Sequence, residues 1–165
     1  MTETLNFVVG SQAAVSSRIA LVVLTAISGL TAVAGGIALA LGALVPDLAT
    51  VLSPPVAYLE GSPFATFLVP GFLLALVVGG TQLWALASLL RSAPHRHLVT
   101  AIAGFGLLIW IFVQMMYIPF SLLQAAYFAA GLAEIGFVLL ALGVFARRAD
   151  PEPASSRRAQ RRADG

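Results

Sequence analysis

The sequence predicts an all-α membrane protein, a transmembrane four-helix bundle with both termini on the cytoplasmic side. Three observations predict it. Hydrophobic residues make up 59% of the 165 positions and charged residues only 10%, too little charge to cover a soluble domain of this size. The apolar residues are gathered into runs long enough to cross roughly 30 Å of hydrocarbon as helices. The Arg residues all fall on one side of the four crossings that those runs define, and the chain has no Lys.

The N-terminal segment, residues 1–18, contains Glu3 and a single base, Arg18. The apolar run after Arg18 is too long for the core of a secretory leader, so no cleaved signal is expected. Residues 5–17 are expected to be a short interfacial helix or disordered. The transmembrane domain is expected over 19–146, and its first span over about 19–45, ending at Pro46 and Asp47.

An outer loop follows over 46–63. A short helix is predicted from Asp47 to Leu52, with Asp47 as its cap, and Pro54–Pro55 must break any longer helix. The second span is predicted over about 64–90, with Ser62 as N-cap and Pro63 in the first helical position. Pro70 then falls inside the span, where a kink is expected.

The third span is predicted over about 98–118 and the fourth over about 121–146. Pro119 separates them, because the combined run is about twice what one crossing needs. The remaining residues, 147–165, are polar and Arg-rich and read as a disordered cytoplasmic tail. Arg18 precedes span one, Arg91 and Arg96 lie between spans two and three, and six Arg follow span four. The positive-inside rule places that side in the cytoplasm and Asp47 and Glu60 outside.

In lipid, helices associate through small residues rather than through hydrophobic drive. Ser28, Ala32, Gly36 and Ala40 recur every four residues in span one. That ridge packs either against a neighbouring span or against a second copy of the chain, and internal packing is the simpler reading. A homodimer, or a place in a larger membrane complex, stays open.

Glu134 is the candidate site residue that composition cannot explain. It lies mid-span, where a charged carboxylate is costly, so it must be protonated, paired or facing a wet cavity. Gln124, Tyr127, Gly131 and Glu134 share one helical face by their spacing of three and four. Trp110, Gln114 and Tyr117 do the same on span three. The antiparallel turn at Pro119 puts Gln114 and Gln124 at similar depth and Glu134 near the level of Gly104 to Leu108. Thr81 and Gln82 of span two approach from the cytoplasmic half. Glu134, Gln114, Gln124, Tyr127, Trp110 and Tyr117 are therefore the predicted ligand-binding residues, lining an outward-facing pocket for a small hydrophobic or amphipathic molecule. The aromatic residues also fit an interfacial belt.

Other chemistry has little support. Without Cys there is no disulfide, thiolate nucleophile or thiolate metal site. His95 and His97 bracket Arg96 with no further ligand nearby, so no metal is predicted, and a basic loop touching anionic lipid explains them. No phosphate-binding, zinc-hydrolase or serine-hydrolase motif occurs. No catalytic residue and no cofactor are predicted. Membrane lipids are expected partners and nucleic acid is not.

The segments SPFATFLVPG and WIFVQMMYIPFSLLQAAYF, with the Ala-rich, Arg-for-Lys bias, resemble uncharacterised small four-helix integral membrane proteins of Actinobacteria. The similarity covers most of residues 20–146. It implies a multi-pass protein of the bacterial cytoplasmic (inner) membrane and brings no activity with it. Similarity to the DoxX-like group is in architecture only. The leading functional reading is binding of a small hydrophobic or amphipathic ligand or lipid, with its transport as an extension of that reading. The alternatives are a proton-coupled small transporter acting as an oligomer, and a structural or assembly subunit of a membrane complex.

Overall fold

The computed structural model describes residues 2–144, with side chains described from Val15 onward. The tail over 147–165 and the last residues of the predicted fourth span lie outside the described residues. The chain is all-α: α1 (Thr2–Leu44), α2 (Pro46–Leu52), α3 (Leu68–Leu73), α4 (Gly80–Leu90), α5 (Arg96–Met115) and α6 (Leu122–Ala141). A π-helical segment, Leu74–Gly79, joins α3 to α4 without a break, and a 3-10 turn, Val56–Leu59, sits in the outer loop. Four stretches are long and apolar enough to span a membrane: Val15–Leu44, Leu68–Leu90, Arg96–Met115 and Leu122–Ala141. They make this a multi-pass membrane protein.

The four long elements form a ring. α1 packs on α3, the π segment and α4; α4 packs on α5; α5 packs on α6; and α6 closes back on α1. Each contributes one buried stripe at helical spacing. On α1 it is Leu21, Thr25, Ser28 and Ala32. The π segment and α4 supply Val78, Gln82, Ala85 and Leu89, α5 supplies Ala103, Leu107 and Ile111, and α6 supplies Gln124, Glu134 and Val138. The opposite faces carry exposed Ile, Leu, Phe and Val, such as Ile27, Leu76, Ile109 and Leu132, as a surface solvated by lipid requires.

α1 is longer than expected. Residues 5–17 are helical, but they continue the first span rather than forming a separate element. The small-residue ridge is used inside the chain. A Cβ on Gly36 would come within 2.5 Å of the Gly71 carbonyl oxygen and 2.7 Å of the Ala75 nitrogen, and one on Gly79 within 3.2 Å of the Val33 nitrogen. Backbone therefore meets backbone where α1 crosses α3 and the π segment.

Three local expectations need correction. Ser62 does not cap the second span. Its hydroxyl instead accepts the Phe64 N–H at 3.2 Å in a local turn, and the helix begins six residues later, at Leu68. Pro70 explains the shift. Starting at Leu68 places Pro70 in the first helical turn, where backbone N–H groups have no intrahelical partner and a missing one costs nothing. Pro70 therefore does not kink a helix interior. The irregularity in this span is the π segment that follows, over Leu74–Gly79. The short outer helix exists, but Val45 is its N-cap, Pro46 opens it, and Asp47 lies in the first turn without a side-chain cap bond.

The turn at Pro119 separates α5 from α6 as predicted. α6 opens with a capping box: the Gln124 N–H donates to Ser121 Oγ at 3.3 Å, and the Ser121 N–H donates to Gln124 Oε1 at 2.8 Å. Two N–H groups that the helix start would otherwise leave unpaired are satisfied together. Ser121→Ala is expected to lower stability by about 1 kcal/mol, read as a shift in detergent-induced unfolding of the purified protein.

Candidate functional site

The predicted site residues separate into two groups. The first surrounds two cavities at the end of the bundle that carries the outer loop. The larger, about 260 Å³, is roofed by Pro54, Tyr58, Leu59, Ser62, Phe64 and Phe67 and walled by Leu39, Pro70, Leu73, Trp110, Val113, Gln114, Tyr117 and Ile118. The smaller, about 150 Å³, lies between α1, α5 and α6, with Thr31, Ala32, Leu74, Leu107, Trp110, Gln114, Gln124 and Tyr127 among its walls. Trp110 and Gln114 line both. The structure thus brings together Trp110, Gln114, Tyr117, Gln124 and Tyr127.

The loop is built to be a roof. Pro54 and Pro55 end the run of α2, and the chain then folds inward so that Leu59 and Phe67 are buried. Gly61 turns the chain with φ +80°, a conformation that favours glycine. Helical spacing on α5 and α6 points to the pocket walls, and the half-apolar composition of the loop suits either the membrane surface or the bundle mouth; the structure has the second. Which loop side chains turn inward is not legible, because a loop without periodicity gives no sign of it.

Gln124 gives the smaller cavity a polar address. Its Oε1 is held by the Ser121 N–H, which fixes the orientation of the amide. The other end, Nε2, is buried and has no hydrogen-bond partner. A buried donor left unpaired costs about 1–3 kcal/mol, and a ligand acceptor or a water in the cavity would remove that cost.

Glu134 forms the second group and lies deeper. It is seven residues beyond Tyr127 on α6, about 10 Å along the helix axis. It has 0% exposure, as does Gln82. Gln82 Nε2 donates to Glu134 Oε2 at 2.9 Å, and the Ser28 side chain lies beside the same carboxyl. Gly104 provides the room: a Cβ there would stand 3.3 Å from both Glu134 Cβ and Oε2. Glu134 thus sits at the predicted level of α5, but it lines neither outer cavity. Among the described residues no Arg or His pairs with it.

Glu134 Oε1 and Gln82 Oε1 are buried without partners. Both are acceptors of the same side-chain pair, and a carboxyl that carries a proton has the donor which such a pair needs. The arrangement ties α1, α4 and α6 together at the centre of the bundle. From spacing alone Gln82 falls toward the cytoplasmic half, as one more contributor to the expected pocket rather than as the hydrogen-bond partner of Glu134. The available signal was that Gln82 is the only amide in its span.

Among the described residues no group of three His, Asp or Glu stands together to hold a metal ion. No protein family, curated protein or solved structure matches the chain.

Proposed function

We propose that this membrane protein binds a small amphipathic molecule in the paired cavities beneath its outer loop. The observation that carries the reading is the pair of adjoining cavities that Trp110 and Gln114 both line, with Gln124, whose amide nitrogen has no partner, in the largely apolar wall of the smaller one. The ligand's apolar part suits the larger cavity, and a carbonyl, hydroxyl or ether oxygen suits the Gln124 amide. Trp110 and Gln114, common to both cavities, would contact both parts. The Arg pattern and the resemblance to Actinobacterial proteins support a bacterial cytoplasmic membrane, with this pocket opening outward. A structural role is the second reading, favoured by the enclosed Gln82–Glu134 bond, which links helices without facing a cavity.

Fluorescence tests the binding reading, because the chain has two tryptophans. Trp84 faces outward on α4, and Trp84→Phe leaves Trp110 as the only emitter. Brominated fatty acid added to this protein in detergent is expected to quench Trp110 saturably. Gln114→Phe, which fills the space shared by the two cavities, is expected to weaken that binding about tenfold or more, a loss of some 1.4 kcal/mol. Non-saturable quenching that Gln114→Phe leaves unchanged would reject the pocket.

A further inference from the structure

The opposite end of the bundle carries a chemically different cavity. Its volume is about 250 Å³, and Arg18, Arg96 and His97 line it together with apolar Val15, Leu21 and Leu89. No acidic side chain described in the structure shares this end: Asp47 and Glu60 belong to the outer loop, and Glu134 is enclosed in the core. The positive charge is therefore not neutralised by carboxylates of the described residues.

Both guanidinium groups are fixed to one turn. Arg18 Nη2 donates to the Leu89 carbonyl at 3.2 Å and to Ser92 Oγ at 3.0 Å. Arg96 Nη1 donates to the Ser92 and Ala93 carbonyls, both at 3.3 Å. Each group thus spends one terminal nitrogen at the end of α4 and the turn after it: Arg18 on the Leu89 carbonyl and the Ser92 hydroxyl, Arg96 on two backbone carbonyls of the turn. Its Nε and second Nη have no hydrogen-bond partner among the described residues. Two anchored guanidinium groups with unspent donors form a fork suited to phosphate oxygens.

A second feature points to the source of that phosphate. An apolar groove of about 500 Å³ runs between α1 and α6, past Ile19, Val23 and Phe137. On α1 it spans Ser16 to Leu24, the same turns that carry Arg18 and Leu21 of the basic cavity. A free anion has no use for such a groove, whereas an acyl chain attached to the phosphate does.

We propose that this end of the bundle is a binding site for an anionic phospholipid, with its phosphate between Arg18 and Arg96 and one acyl chain along the α1–α6 groove. Basic pockets between transmembrane helices hold lipid headgroups by the same physics. The site is separate from the outer cavities and does not depend on their function.

Native mass spectrometry of the delipidated full chain, titrated with phosphatidylglycerol or phosphatidylcholine, tests it. Phosphatidylglycerol is expected to bind preferentially, about tenfold over phosphatidylcholine. Arg96→Gln is expected to reduce that preference about fivefold, the equivalent of one cation near an anionic headgroup. Arg18→Ala with Arg96→Ala should abolish it, while Arg18→Lys with Arg96→Lys should retain most of it. Should the double alanine variant not fold, Arg96→Gln decides, since it leaves the Arg18 anchor in place. Equal binding of the two lipids by the wild-type chain, or an unchanged preference in Arg96→Gln, would overturn the proposal. So would displacement of phosphatidylglycerol by inorganic phosphate as readily as by lipid, which would mark a free-anion site.

Discussion

Gly36→Val is expected to destabilise the bundle by roughly 3 kcal/mol, the upper end of the range for overpacking a filled interior. The atoms that the new side chain meets are backbone atoms and the Ala75 Cβ, which the backbone fixes. A Cβ at Gly36 would stand 2.5 Å from the Gly71 carbonyl oxygen and 2.7 Å from the Ala75 nitrogen. No rotamer change can relieve contacts of that kind, so α1 must move away from α3 and the π segment. Gly71 faces the same crossing from the other side, since its Cβ would approach the Gly36 carbonyl oxygen to 2.7 Å. Unfolding by SDS in mixed micelles measures the loss. Gly106→Ala is the control, because a Cβ there meets nothing within 4 Å, and it is expected to be neutral or slightly stabilising. Equal stability of Gly36→Val and Gly106→Ala would disprove the close α1–α3 approach. A move of α1 would also disturb the outer cavities, because Leu39 and Ala32 line their walls.

The Gly36 crossing shows why much of this fold was legible in the sequence. In a membrane both the lipid face and the core face of a helix are apolar, so hydrophobicity gives the spans but not their orientation. Small and polar residues give the orientation instead. Ser28, Ala32 and Gly36 mark the buried face of α1, and Gln124, Gly131, Glu134 and Val138 mark that of α6. The start of the second span was misplaced for a local reason. Ser62–Pro63 has the composition of a helix start, yet the competing constraint from Pro70 decides where the helix opens. The site was partly legible. Periodicity aligned Trp110, Gln114 and Tyr117, and Tyr127 with Gln124, but it made Glu134 one group with them. Sharing a face is not sharing a depth: the helix rises about 1.5 Å per residue, which carries Glu134 out of reach of the outer cavities. The pairing with Gln82 depends on the register between two helices distant in sequence, and the π segment shifts that register by its extra backbone width.

Glu134→Ala is expected to cost about 2–3 kcal/mol, through two effects. Gln82 Nε2 loses the acceptor it holds at 2.9 Å, leaving a buried amide unpaired. The truncation also leaves a void against Gly104 and Ser28 that the packed bundle cannot fully close. Glu134→Gln is expected to stay within about 1 kcal/mol of wild type, because a primary amide keeps an acceptor for Gln82 in nearly the same volume. Interhelical hydrogen bonds in membranes average only about 0.6 kcal/mol, so most of the alanine loss must come from the orphaned amide and the void. The combined variant Gln82→Leu with Glu134→Leu removes both polar partners and refills the space, and is expected to be closer to wild type than Glu134→Ala. Stability alone does not reveal whether the carboxyl serves the binding site. That question is settled by adding Gln82→Leu and Glu134→Leu to the Trp84→Phe protein and repeating the Trp110 quenching titration. Unchanged ligand affinity is expected, because Glu134 lines neither outer cavity. A lost affinity in a fully folded variant would mean that the carboxyl takes part in binding, and the division of the site into an outer pocket and an inner clamp would have to be withdrawn.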